Sequence, residues 1–124
     1  MAGCRKPPAP PLSPAAVATG WWHAVASGDT RSAAPHLYGD SARSKSDRLL
    51  AEYALVVKEA GDGDRLAAGM AELLRGVRIG EVRSGPEMAI VPLVLRDGRP
   101  FLDVRLELRN NRWTIVDIKD GVRL

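Results

Sequence analysis

Phe101-Leu102-Asp103-Val104-Arg105-Leu106-Glu107-Leu108-Arg109, then Asn110-Asn111, then Arg112-Trp113-Thr114-Ile115-Val116-Asp117-Ile118, is the stretch that decides the fold. In its first half every second residue is apolar, and the residues between are charged. A strand turns successive side chains to opposite faces, so Leu102, Val104, Leu106 and Leu108 face one way, and Asp103, Arg105, Glu107 and Arg109 face the other. Asn-Asn suits a tight hairpin, because asparagine tolerates the positive φ that such turns need. The second half therefore returns antiparallel to the first. This is a sheet with one wet face and one oily face, and the oily face needs a cover.

Upstream, Met88 to Leu95 is the longest apolar run in the chain. Apolar on both faces, it reads as a central strand or as part of an interface. Asp97-Gly98 supplies its turn into the Phe101 strand, and Val77 to Arg83 reads as one further strand. The expectation is a four-stranded antiparallel meander. On its back, Met88, Ile90 and Val94 would leave an apolar patch, covered by a second copy of the chain or by a partner protein.

The cover lies earlier in the sequence. Ser13-Pro14 opens a helix, with serine as N-cap and proline at the first helical position. Val17, Trp21, Ala24 and Val25 form its stripe, and Gly28 ends it. Asp29 or Thr30 caps a short helix through Ala33, Ala34 and Leu37, kept short by Pro35. A third helix is expected from about Ser46 to Ala60, with Leu49, Leu50, Tyr53, Val56, Val57 and Ala60 on one face. Gly61-Asp62-Gly63 breaks it. A fourth, capped by Asp64, places Leu66, Met70, Leu73 and Leu74 at core spacing and stops at Gly76. Helices followed by a meander make an α+β fold, with N-terminal helices packed on a curved antiparallel sheet. No internal repeat is visible.

Residues 14–124 fit one domain, since 124 residues leave little room for a second core. Hydrophobic content of 45% and charged content of 27% are those of a globular chain. The formal charge of +3 does not point to nucleic acid. Its excess lies in the strands, where arginine alternates with aspartate and glutamate, and a phosphate-binding surface concentrates its cations instead.

Residues 1–13 have a different character. Cys4 is the single cysteine, so no internal disulfide can form. Arg5-Lys6 and the four prolines of residues 7–11 then make an extended, semi-rigid tether. Ala2-Gly3-Cys4 resembles the end of a bacterial lipobox, with Met1 standing where that family has leucine. The resemblance implies that Cys4 is lipidated and that the domain is held outside the cytoplasm, on a bacterial cell envelope. Acyl chains give membrane affinity of about 0.8 kcal/mol per buried CH₂.

A second resemblance runs through the folded part. Trp21-Trp22-His23-Ala24-Val25-Ala26-Ser27-Gly28-Asp29, with Ala33, Ala34 and Leu37 following, looks like the opening of nuclear-transport-factor-2-like lipoproteins. Arg112-Trp113-Thr114-Ile115-Val116-Asp117-Ile118 is similar to their closing strand. The order of elements matches over residues 14–119, with specific residues matching at the two ends. Residues 40–76 carry more helix than the family leads one to expect. The resemblance implies a cone-shaped sheet around a helix, with an apolar pocket. Some members are enzymes that use His and Asp inside the cone, and many bind small molecules or partners.

For a pocket, the candidate lining is Leu102, Val104, Leu106 and Leu108 with Tyr53 and Met70. Such a lining fits an apolar ligand and offers little to orient a polar one. An isomerase- or dehydratase-like reaction is the alternative and would use Asp117 or His23. On alternation Asp117 shares a face with Trp113 and Ile115; the functional reading is a partly buried carboxylate with a raised pKa, and the favoured reading is a salt-bridged edge residue. His23 lies about 240° round the first helix from Val17, away from the apolar stripe, and reads as a surface residue. His36 reads as a surface or capping residue. Trp21 belongs to the core, and Trp22, at the stripe's border, is placed to line a cleft or contact a partner. Ser13, Ser27, Ser41, Ser44 and Ser46 read as caps and turns. The expectation is a non-catalytic module without cofactor or metal, because no three or four ligand side chains converge in the sequence.

Overall fold

The computed structural model describes residues 11–121; Cys4 lies outside them. Helix α1 (Pro14–Ala26) begins as expected, with Ser13 Oγ accepting the Ala16 N–H at 3.1 Å. Beyond Ser27, Gly28 takes a φ of +68°, which a glycine adopts without steric cost. Asp29 caps α2 (Thr30–Ala33), which runs into a 3₁₀ turn over Ala34–His36. Helix α4 (Arg65–Arg75) is capped by Asp64.

Helix α3 (Asp40–Gly61) starts six residues before the expected Ser46. Its first two turns bury only small residues, Ala42 and Ser46, so a search for large apolar side chains passes them over. Ser46 is neither cap nor turn. It is fully buried, and its hydroxyl accepts the Trp21 indole N–H at 2.9 Å. That bond satisfies a donor which would cost about 1–3 kcal/mol if buried unpaired.

The sheet is antiparallel: β1 (Arg78–Ile79) and β2 (Arg83–Ser84) pair with β3 (Met88–Val94), β3 with β4 (Pro100–Arg109), and β4 with β5 (Arg112–Asp120). Strands β3, β4 and β5 form the meander. The expected strand from Val77 to Arg83 is instead the two short pieces β1 and β2. Pro92 explains the split. Its carbonyl accepts the Gly80 N–H at 2.8 Å, so its ladder side faces this edge strand. Proline has no N–H to return, and the pairing lapses there.

Two bulges bend the meander. Leu93 opposes Leu102 while Val94 opposes Pro100, which leaves Phe101 as the extra residue in β4. Arg105 opposes Asp117 while Leu106 opposes Ile115, which leaves Val116 extra in β5. Each extra residue resets the alternation beyond it. The hairpin between β4 and β5 is as expected, with φ of +51° at Asn110 and +61° at Asn111.

Helix α1 lies on the oily face. Val17, Trp21, Trp22 and Val25 join Val91, Leu93, Leu102, Val104, Leu106, Ile115 and Ile118 in one core. Trp22 is not at a border. It is buried, with its ring 5.2 Å from Phe101, 6.1 Å from Trp21 and 6.2 Å from Tyr53, each contact edge-on. Edge-to-face aromatic pairs favour this geometry.

Candidate functional site

The expected pocket residues do not surround one cavity. Val104 and Leu106 are fully buried, Leu102 and Tyr53 nearly so, and α1 fills the space above them. Leu108 is half-buried. Met70 is 48% exposed on α4. That helix packs on α3 through Ala67, Ala71 and Leu74, which leaves Met70 outside the core. Of the six residues, Leu102 alone reaches the rim of an open cleft, about 480 Å³, between α3 and the ends of β4 and β5. Lys45, Arg48, Lys119, Glu52 and Asp120 dominate that cleft.

Asp117 is placed differently from the expectation. The Val116 bulge moves it off the Trp113–Ile115 face, to a position opposite Arg105. Lys45 Nζ of α3 donates to Asp117 Oδ1 at 2.7 Å, and the Ile118 N–H donates to the same oxygen at 2.9 Å. Partial burial works to raise the carboxyl, but these two bonds and the Lys45 charge outweigh it and hold the pKa below the ordinary aspartate value. Of the two readings, the salt-bridged edge residue is the one found, and the raised pKa is not: Asp117 is an ion-paired carboxylate. His23 stands exposed on α1, as expected. His36 is half-buried, and its imidazole reaches the α1 backbone at Gly20, where a Cβ would come within 3.3 Å of Nε2. Burial, and after it the charge of Arg112, lower its pKa.

The outer face of the sheet carries the expected patch. Met88 is 45% exposed and Ile90 37%, while Val94 is half-buried. Ile90, Pro92 and Val94 line a shallow groove of about 250 Å³ with Gly80, Glu81, Arg83 and Asp103. Beside the aliphatic row the register sets four charges in a square. Arg105 lies opposite Asp117, and Asp103 lies opposite Lys119. Signs therefore alternate both along and across the strands. Arg105 makes no ion pair among the described residues, and its buried Nε has no hydrogen-bond partner there.

A third group gathers at the Asn110–Asn111 turn. Leu37 bridges to Ile115, and the Tyr38 N–H donates to the Ile115 carbonyl at 2.8 Å. This brings Tyr38 against Arg109, whose guanidinium carbon lies 4.0 Å from the ring centroid. With Asn110, Arg112 and Thr114 these residues line an open cleft of about 640 Å³. The sequence reading missed this group. Arg109 and Arg112 flanking a two-residue turn was a local signal for it, whereas Tyr38 comes from a distant segment.

Among the described residues no three His, Cys, Asp or Glu side chains gather as a metal site, and no helix is long and apolar enough to cross a membrane. Comparison of the chain with family models, with curated proteins and with solved structures returned no match.

Proposed function

We propose that this chain is a non-catalytic association module that pairs with a second copy of itself through the outer face of its sheet. The observation that carries the reading is the exposed Met88–Ile90 row beside the charge square of Asp103, Arg105, Asp117 and Lys119. A square with alternating signs is its own complement. A two-fold axis parallel to the strands sets Arg105 over the partner's Asp117, and one across them sets Arg105 over the partner's Asp103. Either way opposite charges meet, as an isologous interface requires. The aliphatic row adds burial, because exposed apolar area of this kind marks contact surfaces. A protein partner suits this face better than a small apolar ligand suits the interior, where Trp21 and Trp22 occupy the space. The lipobox-like Ala2-Gly3-Cys4 supports display of the module from a bacterial envelope by acylated Cys4, with the proline tether as its spacer. The likeness to nuclear-transport-factor-2-like lipoproteins supports the same setting.

Sedimentation equilibrium tests the pairing. The expected result is a dimer that Ile90→Asp converts to monomer without loss of folding. A chain that stays monomeric at several hundred micromolar (on the order of the weakest specific contacts) refutes it. Membrane fractionation in a bacterial host tests the anchor separately, with release or blocked maturation expected for Cys4→Ser.

A further inference from the structure

We propose that the hairpin end of the sheet is a binding site for a phosphate group, formed by Arg109, Arg112, Tyr38 and Asn110 against the wall made by Thr114. The site is distinct from the pairing face proposed above and stands on separate observations. Arg109 and Arg112 are direct partners across the β4–β5 ladder. Like charges directly opposite are destabilising in a sheet; Glu107 compensates Arg109, which leaves Arg112 as the cation without a counter-ion among the described residues.

The surroundings orient both side chains and compensate the charge of Arg109 alone. Arg109 sits over the Tyr38 ring, and its Nη2 donates to Glu107 Oε1 at 3.0 Å. Arg112 Nη2 donates to the Pro35 carbonyl at 2.9 Å, a neutral anchor, and makes no ion pair among the described residues. A guanidinium has five donors, so each arginine keeps others free for a ligand. No carboxylate lines the cleft between them. Asn110 adds an amide and Tyr38 a phenol, while the Thr114 hydroxyl donates to the Glu107 carbonyl at 3.2 Å. The positive field is felt nearby: the Arg112 charge is one cause, after burial, of the lowered His36 pKa.

Two planar forks held at different anchors grip several oxygens around one centre. That suits a tetrahedral phosphate better than a single planar carboxylate. The cleft is open, so the phosphate can be that of a soluble ester or of a lipid headgroup.

Isothermal titration of the full chain with inorganic phosphate at low ionic strength tests the site, alongside co-sedimentation with phosphatidylglycerol and phosphatidylcholine vesicles. The expected result is saturable phosphate binding that Arg112→Gln and Arg109→Gln each weaken about tenfold. Arg112→Lys, which keeps the charge and loses the fork, should weaken it severalfold. Arg65→Gln on α4 should leave it unchanged. Preference for phosphatidylglycerol that disappears in Arg112→Gln identifies a headgroup as the source, and phosphate binding without vesicle binding identifies a soluble ester. Both arginines are at the surface, and thermal melts establish that the variants fold. Absence of saturable phosphate binding, or binding indifferent to Arg112→Gln, overturns the proposal. Vesicle binding without phosphate binding overturns it too, since it reports diffuse surface charge.

Discussion

The two faces of strands β3 and β4 are built from neighbouring residues and have opposite fates. On the inner face Ala89, Val91, Leu93, Leu102, Val104 and Leu106 are all buried under α1. On the outer face Met88 and Ile90 stay exposed, one residue away in sequence. Hydropathy does not separate them, because isoleucine and methionine are as apolar as valine and leucine. Cover does. Helix α1 brings two indoles and two valines to one side, and among the described residues the other side receives only the short pieces β1 and β2 at its edge. A strand that is oily on both faces of a half-covered sheet supplies core on one face and, among the described residues, leaves the other open.

Breaking the inner face should have the largest effect. Trp21→Ala should destabilise the domain by about 3–5 kcal/mol, from lost packing and the cavity left behind. It also strips Ser46 of its partner inside the core. Trp21→Phe separates the contributions, since it keeps most of the ring and leaves Ser46 unbonded, and should cost about 1–3 kcal/mol. Urea denaturation monitored by circular dichroism measures both. A cost for Trp21→Ala near that of a surface substitution would mean that α1 does not seal this face.

The same truncation on each side of the sheet sharpens the contrast. Leu106→Ala should cost about 2–5 kcal/mol, whereas Ile90→Ala should cost under about 1 kcal/mol in the monomer, because its side chain already meets water. If the pairing proposal holds, Ile90→Ala also weakens the dimer, and its unfolding midpoint then depends on protein concentration. Equal, large, concentration-independent losses would show both faces to be core.

Much of this contrast is legible in the sequence. The alternation of residues 101–109 assigns the two faces of β4, and the helix caps at Ser13, Asp29 and Asp64 stand where the chain places them. The bulge at Val116 was not legible, because strict alternation carried Asp117 inward with Trp113 and Ile115. Extra residues in a strand leave no periodic mark until the partner's register is known. The start of α3 was hidden because Ala42 and Ser46 are small. Met70 misled for the converse reason: its spacing with Leu66, Leu73 and Leu74 describes a stripe, yet the helix turns its alanines and Leu74 to α3 instead. The expected pocket failed with it, since periodicity names the oily face and is silent on whether indoles fill the space above it.

Asp117 offers a smaller test at the sheet's edge. Asp117→Asn removes the Lys45 ion pair, and because Lys45 keeps partial access to water the cost should be about 1 kcal/mol. The folded-state pKa is depressed, so the stabilisation is complete above the ordinary carboxylate value of about 3.9. It is lost as pH falls through the folded value. The gap between wild type and Asp117→Asn should therefore be widest near neutrality and close in strong acid. A gap that widens in acid would mean that the carboxyl is protonated in the folded protein, as its burial alone would dictate.

The smallest expected effect lies at His36, beneath Arg112. Burial against α1 comes first and the Arg112 charge second, and both disfavour the imidazolium in the folded chain. As pH falls through about 6.5 the unfolded chain takes up the proton first. Stability is thus full above that pH and declines below it, until the folded imidazole also titrates. His36→Gln should flatten this slope between pH 7 and 5 while changing stability at pH 8 by under about 0.5 kcal/mol. Arg112→Gln should flatten it only in part, since the charge goes and the burial remains. Phosphate held between Arg109 and Arg112 should act in the same direction as Arg112→Gln, by offsetting the field that His36 feels. Histidine ring resonances followed by NMR against pH, with and without phosphate, measure both shifts on one probe. His36 rising on addition of phosphate in the wild type but not in Arg112→Gln would place the anion at the hairpin. Equal movement of His36 in both proteins would mean that the salt acts on the whole surface.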